Sequence, residues 1–130
     1  PLLECNRQVL KTISGEIHES VEISKSSSIS QQIQIGVGSR IIDSNLKGPV
    51  VIGKNVTLIN ANVEPFTSIG DGCIIENSSI GDSVLMKQCL IKDSQYLTNS
   101  LVGNFCEVTG PKSSRPCSLM IGDDSILDLP

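Results

Sequence analysis

Three cysteines, Cys73, Cys89 and Cys106, return 16 and then 17 residues apart. A thiol repeated at so even an interval is the first place to look for metal or redox chemistry. With Cys5 and Cys117 they make five cysteines, none in a C-x-x-C pair, and His18 is the single imidazole in 130 residues. A zinc ribbon or finger needs four closely spaced sulfur or imidazole donors, so that reading lacks its ligands. Two readings of the repeated thiols remain, a ladder of soft ligands or a column of small buried fillers, and the second is the expectation. Unpaired thiols fit a reducing compartment, and the expected location is cytoplasmic. His18 sits in a polar stretch and is expected to be solvated rather than a general base. Asp123 and Asp124 are adjacent, so their carboxylates diverge and are expected to hold turn amides. Lys112 and Arg115 lie in a proline-containing loop, where an anion site is weighed against two solvated charges, and solvation is expected.

The thiol interval belongs to a wider repeat. An aliphatic residue followed by glycine recurs at Ile35-Gly36, Ile52-Gly53, Ile69-Gly70, Ile80-Gly81, Val102-Gly103 and Ile121-Gly122. The first three pairs are 17 residues apart, close to three six-residue units, the length that carries a chain once around a triangular coil. Within a unit, a large aliphatic side chain points inward, a small residue follows, and the fifth residue again points inward. Units of this form begin at Ile35, Ile52, Val63, Ile69, Ile80, Leu85, Val102 and Ile121 and end at Ser39, Val56, Thr67, Cys73, Val84, Cys89, Cys106 and Ser125. Corners between walls demand backbone angles that Gly, Asn and Asp tolerate. Five-residue steps are expected where the corner is Asp43-Ser44, Asn77-Ser78, Asp82-Ser83, Asp93-Ser94 or Asn99-Ser100. Each unit thus reads as one short period-2 strand and a turn. Five or six coils at about 4.8 Å each would make a column about 25 Å tall.

Composition agrees. One Tyr, two Phe and no Trp suit a narrow prism with no room for rings. A net charge of −4 and no cluster of Lys or Arg speak against a phosphate-backbone partner, so no nucleic acid is expected. No apolar run reaches a membrane-spanning length and no signal-peptide pattern opens the chain, so no membrane partner is expected. Leu2, Leu3, Asn6, Val9, Leu10 and Ile13 recur at helical spacing, with Gly15 at the C-cap. This predicts a linker or capping helix over 1–15, either covering the open first coil or joining the coil to an upstream domain. Residues 16–34 read as a polar, serine-rich connection and 35–130 as the coil domain. Gly110–Ser118, with two prolines, reads as a loop before a last strand. A start at Pro1 rather than Met reads as a fragment or a processed chain.

The runs GPVVIGKNV at 48–56, VEPFTSIGDGCIIENSSIGDSVLM at 63–86, SLVGNFCEV at 100–108 and MIGDDSILDLP at 120–130 resemble the C-terminal β-helix of long-form glucose-1-phosphate thymidylyltransferases, which are sugar-nucleotide nucleotidyltransferases. LLECNRQVL at 2–10 resembles the segment by which that family leaves its catalytic domain. The resemblance implies an all-β fold, a left-handed parallel β-helix of hexapeptide repeats with a short N-terminal helix. The hand follows from the resemblance alone, because parallel crossovers otherwise favour the right hand.

The family's glycine-rich GxGTRL-type loop and its Mg²⁺-holding acidic residues are not in this sequence, so no catalytic, cofactor-binding or metal-binding residue carries over. Mg²⁺ is expected only in a catalytic domain upstream. The first functional expectation is therefore a non-catalytic β-helix domain serving oligomerisation, docking on that catalytic domain or regulation, with a homo-oligomer as the expected assembly. A freestanding hexapeptide acyltransferase is the alternative, and lacks a histidine base within the coils. An independent scaffold or interaction module is the third reading.

Overall fold

The computed structural model describes residues 2–113 and 115–130. Pro1, on which the fragment reading rests, and Ser114 of the proline loop lie outside the described residues. After a helix, α1 (Leu2–Leu10), the chain winds into a left-handed parallel β-helix of about six turns. Its strands are two or three residues long and form three walls. The first wall stacks seven strands from Glu22–Ile23 to Ile126–Asp128, the second five from Ser28–Ile29 to Leu97–Thr98, and the third six from Ile33–Ile35 to Met120–Ile121. Every pairing is parallel and in register from rung to rung, as in Thr57↔Ile74↔Leu90 on the first wall and Val50↔Thr67 on the third.

The register follows from strand geometry, because alternate side chains leave a strand on opposite faces. Ile41, Leu58, Ile75, Ile91 and Val108 enter the prism from the first wall, Leu46, Val63, Ile80 and Leu97 from the second, and Ile35, Ile52, Ile69, Leu85 and Val102 from the third. Each is essentially inaccessible and stabilises the coil by about 1.5–3 kcal/mol relative to exposure.

Corners are made by residues with positive φ. Asp43, Asn60, Asn77 and Asp93 turn the chain from the first wall to the second at φ between 48° and 54°, a region that short polar side chains tolerate. Asp82 and Asn99, both at φ 49°, turn it from the second wall to the third. Gln32, Phe66, Gln88 and Phe105 hold φ of 58–66° with longer side chains and store local strain. At Gly70 a side chain has no room, since a Cβ there would lie 2.6 Å from the Met86 carbonyl oxygen of the next rung.

Five details differ from the sequence expectation. The ladder starts within residues 16–34, where Glu22–Ile23, Ser28–Ile29 and an isolated bridge from Ile17 to Ile35 already pair with the rung below. Serines on the outward positions disguise this first turn. The helix ends at Leu10, and Gly15, at φ 82°, serves instead to bring the chain against Ile33. Nor does α1 cover the open first coil, since it lies along the side of the column against Phe66, Ser68, Asp82 and Asn99. In the unit that begins at Ile80 the inward residue is Ser83 and not Val84, because Asp82 completes its corner one residue early. Asn60-Ala61 is a further five-residue corner.

Candidate functional site

Each corner of the prism carries an inward column of small side chains. After the third wall the column runs Ser39, Val56, Cys73, Cys89, Cys106 and Ser125. Ser39 Oγ donates to the Gly53 carbonyl one rung on at 2.9 Å. The thiols repeat that bond, Cys73 to Met86 at 2.9 Å, Cys89 to Gly103 at 3.0 Å and Cys106 to Gly122 at 3.0 Å. The three thiols are buried and occupy a position whose chemistry is that of a serine. The Cys73 thiol is pushed above its ordinary pKa, first by its hydrogen bond to Cys89 and then by burial, so it remains a donor. The stacked inward column read from the spacing is present, and each thiol lies within hydrogen-bond distance of a carbonyl one rung on; the pKa of the Cys89 thiol is lowered to about 7, first by its hydrogen bond with Cys73.

The second corner repeats the device with hydroxyls. Ser27 Oγ accepts the Ser44 N–H at 3.1 Å, Ser44 Oγ accepts the Ala61 N–H at 3.1 Å and Ser78 Oγ accepts the Ser94 N–H at 3.0 Å. At the third corner Ser83 Oγ accepts from Ser100 and Ser100 Oγ accepts from Leu119. On the outside, amides form ladders: Asn60 donates to Asn77 at 2.8 Å, Asn77 to Asp93 at 2.9 Å and Asn45 to Asn62 at 3.0 Å. Such ladders repeat with the rung spacing, as in other stacked β structures.

Asp123 Oδ1 accepts the Asn104 N–H at 2.7 Å, and Asp124 turns the corner at φ 62°, so the adjacent carboxylates serve the backbone and do not converge. Asp71 does the same for the Lys54 N–H at 2.8 Å. Lys112 and Arg115 are both exposed in the proline loop. Among the described residues, no group of three or more His, Cys, Asp or Glu side chains is placed to hold a metal.

His18 stands at the rim of a groove of about 490 Å³ lined also by Glu16, Gln34, Val51, Lys54 and Asp71. Its Nδ1 accepts the Ser20 N–H at 3.0 Å and lies 2.8 Å from Ser20 Oγ, which leaves Nε2 toward solvent. Gly36 and Gly53 line the groove too, and a Cβ on Gly36 would lie 2.8 Å from the Gly53 carbonyl oxygen of the next rung. Of the two carboxylates that share it, Asp71 is bonded to the Lys54 N–H, and His18 makes no hydrogen bond to either of them.

The most specific polar constellation joins elements far apart in sequence. Asn6 Nδ2 donates to the Phe66 carbonyl at 3.1 Å and Asn6 Oδ1 accepts from Ser68 Oγ at 2.5 Å. Arg7 forks onto Asp82, with Nε 2.6 Å from Oδ1 and Nη2 on Oδ2, and Nη2 also reaches Asn99 Oδ1 at 3.3 Å. Leu10, 1% exposed, is the apolar anchor beside them. The hydrogen bond and charge of Asp82 raise the Arg7 pKa further. Sequence reading found the helix but not this dock, because pairs 60 to 92 residues apart leave no local pattern.

These features define a left-handed hexapeptide β-helix with a helix strapped to one edge, and comparisons with known proteins agree. No protein-family model matches the chain. It is 28% identical to the glucose-1-phosphate thymidylyltransferase of Streptomyces antibioticus over 98% of its own length and 36% of that protein. It is 30% identical to the enzyme of the same name from Streptomyces griseus over 95% of its length and 35% of that protein. The chain is thus similar to the C-terminal part of these enzymes and spans about a third of their length. Among solved structures, a mutant of AntD, an N-acyltransferase from Bacillus cereus in complex with dTDP and coenzyme A, superposes with a TM-score of 0.66 at 18% identity, covering 98% of this chain and 84% of that one. At that identity the likeness concerns the fold. No helix among the described residues is long and apolar enough to cross a membrane.

Proposed function

We propose that this chain is the β-helix domain of a sugar-nucleotide nucleotidyltransferase of the glucose-1-phosphate thymidylyltransferase type, and that it organises the enzyme without carrying out the reaction. The observation that carries this reading is the similarity over 98% of the chain, helix included, to enzymes of which it spans 36%. The chemistry of the coil supports the division of labour. The column thiols, corner hydroxyls and corner carboxylates are bonded to backbone groups of neighbouring rungs, which leaves them building material rather than reagents. Nucleotidyl transfer, with its Mg²⁺, belongs to an upstream domain, and the coil serves subunit assembly, domain docking or regulation.

The groove beside His18 favours a second reading, a hexapeptide acyltransferase, for which an imidazole would be the base. One experiment separates the two. The 130-residue chain and the full-length gene product are each assayed for pyrophosphate release from glucose 1-phosphate with a nucleoside triphosphate and Mg²⁺, and for thiol release from acetyl-coenzyme A with amino sugars. The expected result is pyrophosphate release by the full-length protein alone and no acyl transfer by either. Acyl transfer abolished by His18→Ala would overturn the proposal.

A further inference from the structure

The helix α1 has three faces. Leu3, Asn6, Arg7 and Leu10 turn to the coil and are buried or half-buried, while Glu4 and Gln8 are exposed and polar, as are Lys11 and Thr12 just past its end. Between them runs a third stripe: at about 100° per residue, Leu2, Cys5 and Val9 fall within an arc of about 60°. Leu2 is 51% and Val9 64% exposed, and Cys5 is exposed as well. A helix lying on a surface with its other side in water needs one apolar face, and this one has two. The second stripe adjoins the dock, on the side of Asn6 away from Arg7. Asn6 contacts Phe66 and Ser68 whereas Arg7 contacts Asp82 and Asn99, so the stripe faces the earlier rungs.

We infer that the Leu2–Cys5–Val9 stripe is a docking surface for the polypeptide that precedes α1, an apolar patch of the upstream domain, so that α1 is clamped between that domain and the coil. The inference rests on the proposed function only for the existence of that domain. Two observations select this occupant. The chain is similar to the C-terminal part of relatives of which it spans 36% and 35%, which puts most of such a protein ahead of Leu2. Leu2 itself stands in the first turn of α1, so preceding chain emerges beside the stripe and meets it at high effective concentration. The Asn6 and Arg7 contacts hold α1 at one place on the column, and a clamp on its other flank would carry that fixed position across to the upstream domain.

Cys5 lies within the stripe and reports on its cover. N-ethylmaleimide pulses followed by peptide mass spectrometry are applied to the full-length gene product and to the 130-residue chain. Cys5 is expected to react at the rate of an open thiol in the short chain and at least about tenfold more slowly in the full-length protein, where opening limits access. The double variant Leu2→Ser, Val9→Ser in the full-length protein should restore fast labelling of Cys5 while the melting of the short chain is unchanged. Equal Cys5 rates in the two proteins overturn the inference. So does protection in the short chain that grows with its concentration, which would make the occupant a second copy. A full-length protein that protects Cys5 but releases no pyrophosphate would refute the proposed activity and leave the docking surface in place.

Discussion

A thiol that gives its proton to a carbonyl one rung away behaves as a compact, apolar serine, and Cys73, Cys89 and Cys106 all do so. Cys73→Ser should be tolerated, whereas Cys73→Ala removes the nearer donor to the Met86 carbonyl and the acceptor of the Cys89 N–H and should cost about 1–3 kcal/mol in urea unfolding. The raised Cys73 pKa gives a direction in pH. Its contribution to stability is complete below the thiol's unfolded value of about 8.5 and declines as pH climbs from there toward the folded value. Because the lowered Cys89 thiol acts in the opposite sense between about 7 and 8.5, melting is followed at pH 9 and 10, where wild type should show a fall that Cys73→Ser reduces. Ile69→Asp, at a site 2% exposed, buries an unpaired carboxylate and should destabilise by about 3 kcal/mol or more; an unchanged melting curve would show the inward register to be mistaken. That register was legible because strand side chains alternate with period two. Ser83 was not, because a shortened corner moves the inward position by one residue.

Among the elements, α1 depends on its dock, since a nine-residue helix is marginal alone. Arg7 stays charged at every ordinary pH, because Asp82 raises its pKa further. Its contribution is present below the ordinary arginine value and is lost only above it, so titration of the guanidinium gives no pH dependence near neutrality. Arg7→Ala should speed amide hydrogen exchange across residues 2–10 by a large factor while exchange in the rungs stays as in wild type. Equal protection of α1 in the variant would assign the dock to Leu10 and Asn6 instead. The helix was legible in its apolar spacing, but its resting place was not, for partners such as Arg7 and Asp82 are 75 residues apart. The first turn of the coil was obscured for another reason. In residues 16–34 the inward aliphatics are sparse and the outward serines give the composition of a linker.

At the scale of the molecule, flat walls of paired backbone with Ile74, Met120 and Ile126 exposed on them suit side-by-side association. Light scattering at micromolar concentration is expected to give a dimer or trimer, and a monomer throughout would count against an assembling role. The rungs are also not equally tied together. Two corner columns lapse in the same turn, at Val56 and Ala61, neither of which has a side-chain atom able to accept the N–H of Cys73 or Ser78 below it. In the step before it Ser39 and Ser44, and in the step after it Cys73 and Ser78, span the equivalent gap. Between the rung of Ile52 and the rung of Ile69 cohesion therefore falls to backbone bonds such as Gly53 to Ile69, Thr57 to Cys73 and Asn62 to Ser78 and to the Asn60–Asn77 amide pair, which leaves this step with fewer corner ties than the one before it.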